Sequence, residues 1–592
     1  MKKRIADILI ETLVERGIID CFAVVGGGAM YLDNALALNE NMNKVFCHHE
    51  QACSMAAEAY SRYSGVPALV CVTSGPGATN AITGVMGAWQ DNIPMVVLSG
   101  QVRYAISVES SGLPLRYRGV QEFDIINSVK NMTKYALMLK DPLSARQELN
   151  KAIDIAVSGR KGPVWLDVPQ DIQNTMVEVD DLYPNEVLPA VPSANELDVI
   201  ELIKILKVAK RPMILAGSGI AESGNIDQFR TFADTLQIPV VSAMVSLDAS
   251  YRENELFFGM SGAIGPRVGN FILQNADVIL TLGCSLGFQT TGFAQDRFAP
   301  NAKIISVDVD EFEMKKPGVR VDSFIHSDLD LFFKVAKNKV ENLSVSKEWI
   351  AYCTLLKSRF SPFDPANGLS KDERVCMYQF WKEFENHEPR DSIVALGNNT
   401  ASSAKCQIGI KHKDQRIIVN KNCGSMGDDL PAAVGAAIAA KKTIYCCTGD
   451  GSIMMNLQEL QTIKHYDLPI KVVVFSNDGY NAIRQTSKNF FNNLLLGCTP
   501  ESGISFPDFG KVAETFGFEY KHCKTNGDVA EALNWFFAQP GRLFLEIDQK
   551  LDDPVTPKVM SRLKPDGTYS TPAIQDMFPF LDKEEIDGYM LW

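Results

Sequence analysis

The chain has 592 residues, which is too long for a single hydrophobic core and favours about three domains of ordinary size. Hydrophobic residues make up 46% of it and charged residues 22%, which argues against a disordered chain or a fibrous repeat. The formal net charge of −13, without a long run of Lys or Arg, argues against nucleic acid and anionic membranes as partners.

The 13 cysteines show one adjacent pair and no C-x-x-C spacing, which is typical of small buried residues in a reducing cytosol. The N-terminus, MKKRIADILIETL, starts basic, but Asp7 and Glu11 interrupt any signal-peptide core. No apolar run approaches the roughly 20 residues of a membrane span. We therefore expect a cytoplasmic protein.

Three blocks of alternating strands and helices follow one another along the chain. The first, from Cys21 to Pro169, contains the runs CFAVV, ALVCVT, PMVVLSG and VWLDVP. The second contains RPMILAGSG, IPVVSA, DVILTLG and AKIISVDVD, and the third SIVALG, RIIVNKN, TIYCCTGDG, IKVVVFSNDG and RLFLEIDQ. Short apolar runs separated by helical lengths predict an α/β protein with three doubly wound parallel-sheet domains.

We place these domains at residues 1–171, 197–336 and 387–550. The acidic, proline-bearing segment 172–196 is predicted to be a linker, and the polar, helix-like segment 337–386 a connector. Residues 551–592, with prolines such as Pro554, Pro557 and Pro565, are predicted to form an extended arm over a neighbouring surface.

The turn after TIYCCT is the strongest chemical signal. This strand runs into Gly449-Asp450-Gly451, and a helix is predicted to begin near Ser452. The glycines permit a close approach of the backbone, the helix N-terminus offers N–H groups to phosphate, and Asp450 supplies a hard oxygen ligand. The turn therefore fits a diphosphate with a metal ion.

A second strand, IKVVVFS, ends at Asn477, so Asp450 and Asn477 leave the ends of successive strands. Adjacent parallel strands lie about 4.8 Å apart, so oxygens from both strand ends can bind one octahedral Mg²⁺. The carbonyl of Gly479 is a candidate third ligand.

With these features the whole chain resembles the acetolactate synthase and pyruvate oxidase branch of the thiamine diphosphate enzymes. The resemblance runs from FAVVGGGAM to the C-terminal arm. The matching segments are HHEQACSMAAEAYSR, TSGPGATN, IPMVVLSGQV, GVQEFDI, GSMGDDLPAAVGAA and TGDGS with its following helix and strand. It implies pyrimidine-binding, central and diphosphate-binding domains.

The resemblance gives Glu50 the role of the carboxylate that bonds the aminopyrimidine ring of the cofactor and so promotes removal of a proton from the thiazolium. It places Met426 beneath the cofactor, the Gly424 carbonyl at the aminopyrimidine nitrogen, and Gln121 at the bound intermediate. Without it, a helix cap and a core methionine would be the ordinary interpretations of Glu50 and Met426. The other residues it places at the cofactor are Gly26, Gly27, Pro76, Asn80, Asn398, Asn399, Gly449, Gly451, Ser452 and Tyr480.

The chain departs from acetolactate synthases at the expected substrate pocket. Ser285 aligns with an Arg that grips the carboxylate of the second 2-oxo acid, and its loss removes a charge-assisted bond to that acceptor. Val120, Ala482 and Thr486 align with Phe, Met and Trp, which predicts an acceptor larger than pyruvate, such as a keto-sugar attached to a nucleotide. Lys134 matches a family lysine near the substrate channel, although surface lysines are common.

The resemblance also implies a homodimer or homotetramer whose sites combine the first block of one subunit with the third block of another. FAD, which many relatives bind, would lie against GMSGAIGPRVGN and LGCSLG. These segments match in outline but not in key residues, so the sequence leaves FAD open.

Four functions remain at this stage. We favour a carboligase that joins an acyl unit from a 2-oxo acid to a non-standard acceptor. A simple 2-oxo acid decarboxylase and a genuine acetolactate synthase are the alternatives. A non-catalytic cofactor-binding regulator is disfavoured, because it predicts loss of Glu50, Asp450 or Asn477, and all three are present.

Overall fold

The computed structural model describes residues 1–563 and 566–591, so Pro565 of the predicted arm lies outside the described residues. The described residues form three six-stranded sheets, and all neighbouring strands in them are parallel. This confirms the predicted α/β class with three doubly wound parallel-sheet domains. None of the helices in these ranges is both long enough and apolar enough to cross a membrane.

The first described part of the chain, residues 1–178, contains eight strands, six of which form one of these sheets. The strands are β1 (Lys2–Arg4), β2 (Asp20–Ala23), β3 (Asn43–Phe46), β4 (Ala68–Val72), β5 (Met95–Gln101), β6 (Tyr135–Met138), β7 (Pro163–Pro169) and β8 (Met176–Glu178). Its helices are α1 (Ile5–Glu15), α2 (Met30–Leu38), α3 (Glu50–Ser64), α4 (Pro76–Asn80), α5 (Ile82–Gln90), α6 (Val108–Ser111), α7 (Ile125–Val129), α8 (Ala145–Val157) and α9 (Gln170–Asn174). The strand order is β3-β2-β4-β5-β7-β6, and β1 pairs separately with β8.

The central sheet has the order β11-β10-β9-β12-β13-β14. Its strands are β9 (Pro212–Ala216), β10 (Val240–Ser242), β11 (Phe257–Met260), β12 (Val278–Leu282), β13 (Lys303–Asp308) and β14 (Ser323–His326). The helices here are α10 (Glu196–Val208), α11 (Gly219–Glu222), α12 (Ile226–Leu236), α13 (Arg267–Asn275), α14 (Phe288–Thr291), α15 (Phe312–Lys315) and α16 (Leu329–Ala336), and α17 (Lys347–Arg359) follows them.

The third sheet has the order β16-β15-β17-β18-β20-β19. Its strands are β15 (Ile393–Leu396), β16 (Arg416–Ile418), β17 (Ile444–Gly449), β18 (Ile470–Ser476), β19 (Glu519–Cys523) and β20 (Leu543–Asp548). The helices are α18 (Met377–His387), α19 (Thr400–Ile408), α20 (Asp429–Ala440), α21 (Asp450–Ile453), α22 (Glu459–His465), α23 (Asn481–Phe490), α24 (Phe509–Phe516) and α25 (Val529–Ala538). The last residues contain β21 (Arg562–Leu563), β22 (Tyr569–Ser570) and α26 (Lys583–Gly588).

Each sheet separates two hydrophobic cores, because alternate side chains of a strand point to opposite faces. In β4, for example, Leu69 and Cys71 belong to one core and Val70 and Val72 to the other. Burial on both faces explains the continuous apolar runs of the central strands.

The first and third sheets are joined by the packing of α3 against α20. Both helices are rich in alanine, which lets their backbones approach closely. A Cβ added at Gly435 would lie only 1.9 Å from the backbone oxygen of Ala56, so this crossing requires glycine. The contact fixes the helix that begins at Glu50 relative to the strand that ends in the Gly-Asp-Gly turn.

Candidate active site

The Gly-Asp-Gly turn lies at the carboxyl end of β17, beside the end of its parallel neighbour β18. Asp450 is buried, and its Oδ2 accepts the backbone N–H groups of Asn477 at 2.9 Å and Gly479 at 3.2 Å. Burial raises the pKa of Asp450 to about 6. The structure therefore brings the two predicted strand ends together around one carboxylate.

The oxygen atoms at this corner suit a hard divalent cation. Asn477 is held from two sides, because its Nδ2 donates to Oε1 of Gln549 at 3.1 Å and its Oδ1 accepts from Nη2 of Arg484 at 3.2 Å. Among the described residues, Oδ1 of Asp450 accepts only the N–H of Gly451, at 2.8 Å, and Oδ1 of Asn477 accepts only the Arg484 bond, so each of these oxygens has a further lone pair for a metal. Asp450, Asn477 and the Gly479 carbonyl thus form a donor set of the kind Mg²⁺ uses.

Arg484 and Gln549 were not predicted from the sequence, although the position of each is informative. Arg484 follows Asn481 by three positions on the buried side of α23, where a charged residue is unusual. Gln549 directly follows β20, the other neighbour of β18, so it is a polar residue at an adjacent strand end, as Asp450 and Asn477 are.

Tyr480 and Ser452 complete the turn. The ring of Tyr480 lies against Gly451, where an added Cβ would be 2.0 Å from Cε1, so the turn accepts only glycine there. The hydroxyl of Ser452 donates to Oδ2 of Asp429 at 2.6 Å and accepts the N–H of Gly427 at 3.0 Å. It therefore ties the turn to α20 and to the loop that contains Gly424 and Met426.

The predicted helix after the Gly-Asp-Gly turn differs in detail from the observed one. The structure has two short helices, α21 and α22, where the sequence suggested a single helix beginning near Ser452. Tight turns around Met455 separate them, and the side chain of Asn456 donates to the carbonyl of Gly427 at 2.8 Å. A side chain that bonds a neighbouring loop here competes with a continuous helix.

Asn398 and Asn399 follow β15, next to the Gly-Asp-Gly strand. Asn398 donates from Nδ2 to the carbonyl of Gly424, and Asn399 caps α19 by accepting the N–H of Ser402 at 2.9 Å. A Cβ at Gly449 would lie 3.0 Å from Cβ of Asn399, so this turn also packs closely on the Gly-Asp-Gly strand. Met426 is half-buried in the loop that follows Gly424.

A second cluster lies at the carboxyl edge of the first sheet. Glu50 is the first residue of α3, and its Oε2 accepts from Nδ2 of Asn80 at 3.0 Å. Pro76 begins α4, which carries Asn80, and a Cβ at Gly77 would lie 3.4 Å from Oε1 of Glu50. The structure thus brings Glu50, Pro76 and Asn80 together.

The remaining first-sheet residues lie on loops at the same edge. The exposed loop of Gln121 reaches the turn before Pro76, because a Cβ at Gly75 would lie 2.4 Å from its backbone oxygen. Gly26 and Gly27 follow β2, and the N–H of Gly26 donates to Oδ2 of Asp33 at 3.1 Å.

Within one chain these two clusters approach each other without merging. Nδ2 of Asn456 donates to Oε1 of Gln51 at 3.1 Å, and the N–H of His48 donates to Oε1 of Glu459 at 3.1 Å. Over residues 1–563 and 566–591, however, no hydrogen bond connects the Glu50 carboxylate with Asp450.

The predicted substrate residues fall into two groups. Val120, Ala482 and Thr486 are exposed near the two clusters, on the Gln121 loop and on α23. Lys134 and Ser285 instead line a cavity against the central sheet. The Lys134 amine donates to the carbonyls of Ile155 and Ser158 at the end of α8, and burial lowers its pKa to about 8.

This central cavity has a volume of about 1070 Å³. Glycine-rich turns after β9 and β12 line it, together with Asp308 at the end of β13. Burial raises the pKa of Asp308 to about 6. Ligands of open α/β sheets bind at this edge, beyond the carboxyl ends of the strands.

Comparison with known proteins agrees with the three-part organisation. Residues 3–127 match the thiamine pyrophosphate (thiamine diphosphate) enzyme N-terminal TPP binding domain, residues 199–334 its central domain, and residues 395–547 its C-terminal TPP binding domain. Each range contains strands of one of the three sheets.

Curated relatives cover nearly the whole chain. The chain is 30% identical over 545 residues to an acetolactate synthase large subunit from Buchnera aphidicola, covering 89% of this chain and 91% of that protein. It is 29% identical to the acetolactate synthase isozyme 2 large subunit of Escherichia coli, covering 92% and 95%, and 29% identical to the acetolactate synthase large subunit of Lactococcus lactis, covering 95% of each. The chain belongs to the thiamine pyrophosphate enzyme family and is an acetolactate synthase-like enzyme that couples decarboxylation with carbon–carbon bond formation.

Proposed function

We propose that this enzyme decarboxylates a 2-oxo acid such as pyruvate and transfers the acyl unit to an acceptor larger than pyruvate. The decarboxylation of the donor is supported by one observation. The Asp450 carboxylate, at the end of one strand, accepts the backbone N–H groups of Asn477 and Gly479, which follow the adjacent strand. A divalent cation bound there fits the anchor that a diphosphate cofactor needs.

In this proposal Asp450, Asn477 and the Gly479 carbonyl would hold Mg²⁺, and the adjoining turn of Gly451 and Ser452 would receive the diphosphate. Thiamine diphosphate, when bound, would supply a thiazolium ring that accepts electrons as CO₂ leaves the substrate. The chain's own contribution is to orient the cofactor, exclude water and place a carboxylate where a proton must move.

The acceptor half of the proposal rests on the pocket residues. Ser285 lies on the exposed edge of the central cavity and cannot supply the guanidinium that its counterpart in acetolactate synthases offers. Ala482 and Thr486 lie one turn apart on the exposed face of α23, and both are smaller than the residues they replace. These changes favour a larger acceptor, such as a keto-sugar.

Incubation with carbon-labelled pyruvate, thiamine diphosphate and Mg²⁺ tests both halves. We expect labelled CO₂ from pyruvate alone, and a labelled ligation product when a keto-sugar is added, both followed by mass spectrometry. Labelled acetolactate as the main product would instead assign the ordinary synthase reaction despite Ser285. Labelled acetaldehyde with every acceptor would assign a simple decarboxylase, and no CO₂ would exclude pyruvate as donor.

The surfaces around the two clusters support the assembly of sites between subunits. The chain segments that carry each cluster also carry exposed apolar side chains, which on soluble proteins mark contact surfaces. Segments 25–30 and 113–123 of the first block carry Val25, Met30, Leu113, Leu115, Tyr117, Val120 and Phe123, and segments 454–455 and 483–496 of the third block carry Met454, Met455, Ile483, Phe490, Phe491, Leu494 and Leu496. We propose that a second copy of the chain covers both surfaces, as a dimer or within a tetramer, with Glu50 of one subunit facing Asp450 of the other.

This assembly predicts complementation between two inactive variants. In a dimer of Glu50→Gln with Asp450→Asn, one site receives both intact residues and the other receives neither. Random co-expression should therefore restore about a quarter of wild-type CO₂ release, because half of the dimers contain one good site. Co-expression of Glu50→Gln with Glu50→Ala, in which no intact site arises, is the control. Sites built within single chains would give no recovery in either mixture.

The central cavity supports a further ligand of nucleotide size. Its volume of about 1070 Å³ exceeds that of most small-molecule sites, and Asp308 lines it at the carboxyl end of β13. FAD belongs to the class of ligand that this cavity would accommodate.

A further inference from the structure

The start of the predicted arm is fastened to α23. The carbonyl of Leu551 accepts from Nη2 of Arg484 at 2.7 Å, and the carbonyl of Asp553 accepts from Nδ2 of Asn481 at 2.9 Å. Nε2 of Gln485 donates to the same Asp553 carbonyl at 3.3 Å. The arm therefore leaves the third sheet along the helix that carries the predicted pocket residues.

The arm then contacts the central domain, and its residue Lys558 lies next to α23. Lys558 and Phe578 exchange two backbone hydrogen bonds, of 2.9 and 2.7 Å, and the N–H of Val559 donates to the carbonyl of Ala263 at 2.6 Å. Nδ2 of Asn270, on α13, donates to the carbonyl of Ile574 at 3.0 Å. These bonds fix the backbone of Lys558 between the central sheet and α23.

The Lys558 amine donates to Oε1 of Gln485 at 3.2 Å. The Gln485 amide is held in this orientation because its Nε2 donates to Oδ1 of Asn481 at 3.1 Å, which leaves Oε1 facing the amine. Within the described parts of the chain no carboxylate lies within ion-pair distance of the amine, and burial lowers the pKa of Lys558. The half-buried ammonium group therefore has N–H groups that can still donate and no negative charge beside it, so it is suited to bind an anion.

Gln485 shares a helix face with the predicted pocket. It follows Ala482 by three positions, and residues three apart lie on neighbouring parts of one helix surface. The amine of Lys558 is thus held beside the space that the small side chain of Ala482 leaves open.

We propose that Lys558 binds the anionic group of the acceptor, a carboxylate or a phosphate, in place of the arginine that Ser285 replaces. This inference rests on the proposed function, because it assigns the acceptor of that same site. The acceptor would then carry its negative charge toward the arm and not toward the central sheet, and Gln485 would act as the positioning residue for the amine.

Acceptor kinetics of Lys558→Met holoenzyme, loaded with thiamine diphosphate and Mg²⁺, test this proposal. With pyruvate as donor, we expect KM for the anionic acceptor fructose 6-phosphate to rise about tenfold to hundredfold, because a charge-assisted bond is lost. KM for the uncharged acceptor propanal should change much less, and Lys558→Arg should recover most of the loss. Titration of the holoenzyme with inorganic phosphate should show weaker binding by the same variant.

Lys488→Met is the matched control, because it removes the same charge from an exposed lysine of α23 that already pairs with a carboxylate, Asp552, at 3.0 Å. It should behave like wild type in every assay. Equal KM changes for charged and uncharged acceptors, or wild-type holoenzyme that binds neither phosphate nor an anionic acceptor, would overturn the assignment of Lys558. Failure of wild type to release CO₂ would overturn the proposed donor reaction instead, and the phosphate titration would still decide the role of Lys558.

Discussion

Replacement of Glu50 with glutamine is expected to lower CO₂ release by about 10²–10⁴-fold while the protein still binds thiamine diphosphate. Glutamine keeps the size of the side chain and can still accept the hydrogen bond that Asn80 donates at 3.0 Å, so the local fold should persist. What disappears is the carboxylate that we propose shares a proton with the cofactor. Steady-state CO₂ release and equilibrium titration of the cofactor separate these two effects.

A matched control is Glu40→Gln, which makes the same chemical change at an exposed position between α2 and β3. This variant should match wild type in both turnover and cofactor affinity. Turnover of the Glu50 variant within about twofold of that control would remove Glu50 from the mechanism. A large loss of cofactor affinity without loss of turnover at saturation would give it a binding role only.

The sequence predicts the interior strands of the three sheets better than the edge strands. The interior strands, such as β4 and β18, are buried on both faces and read as continuous apolar runs. Among the described strands, those the sequence did not reveal lie at sheet edges, including β14 (SFIH) and β19 (EYKHC). An edge strand faces solvent along one side, so polar side chains break the pattern that marks a strand.

The candidate site shows a similar division. The proximity of Asp450 and Asn477 could be predicted from the sequence, because it depends only on two successive strands lying side by side in one sheet. Arg484 and Lys558 depend on packing between distant segments: the first reaches Asn477 from a buried face of α23, and the second is carried there by the arm. No spacing along the chain encodes the crossing of the arm, because its position is set by contacts with α13 such as that of Asn270 with Ile574.

Replacement of Asp450 with asparagine is expected to weaken Mg²⁺ binding by more than about 100-fold and to abolish CO₂ release at ordinary Mg²⁺ concentrations. Loss of a residue that merely supports a metal ligand costs about 10–100-fold in affinity, so loss of a charged ligand should cost more. In either orientation the NH₂ group of the amide would also face a backbone N–H: those of Asn477 and Gly479, which now donate to Oδ2, or that of Gly451, which now donates to Oδ1. Titration calorimetry with Mg²⁺ in the presence of thiamine diphosphate measures the affinity directly.

Asp478→Asn is the control, since Asp478 lies between the proposed ligands Asn477 and Gly479 in sequence but is exposed and pairs with Arg374 at 3.1 Å. Its Mg²⁺ affinity should stay within about twofold of wild type, because exposed ion pairs contribute little. Chelation with EDTA should inactivate both wild type and this control, and added Mg²⁺ should restore both. Equal Mg²⁺ affinity in the Asp450 and Asp478 variants would contradict the cation site, because only Asp450 faces the corner where β17 and β18 end.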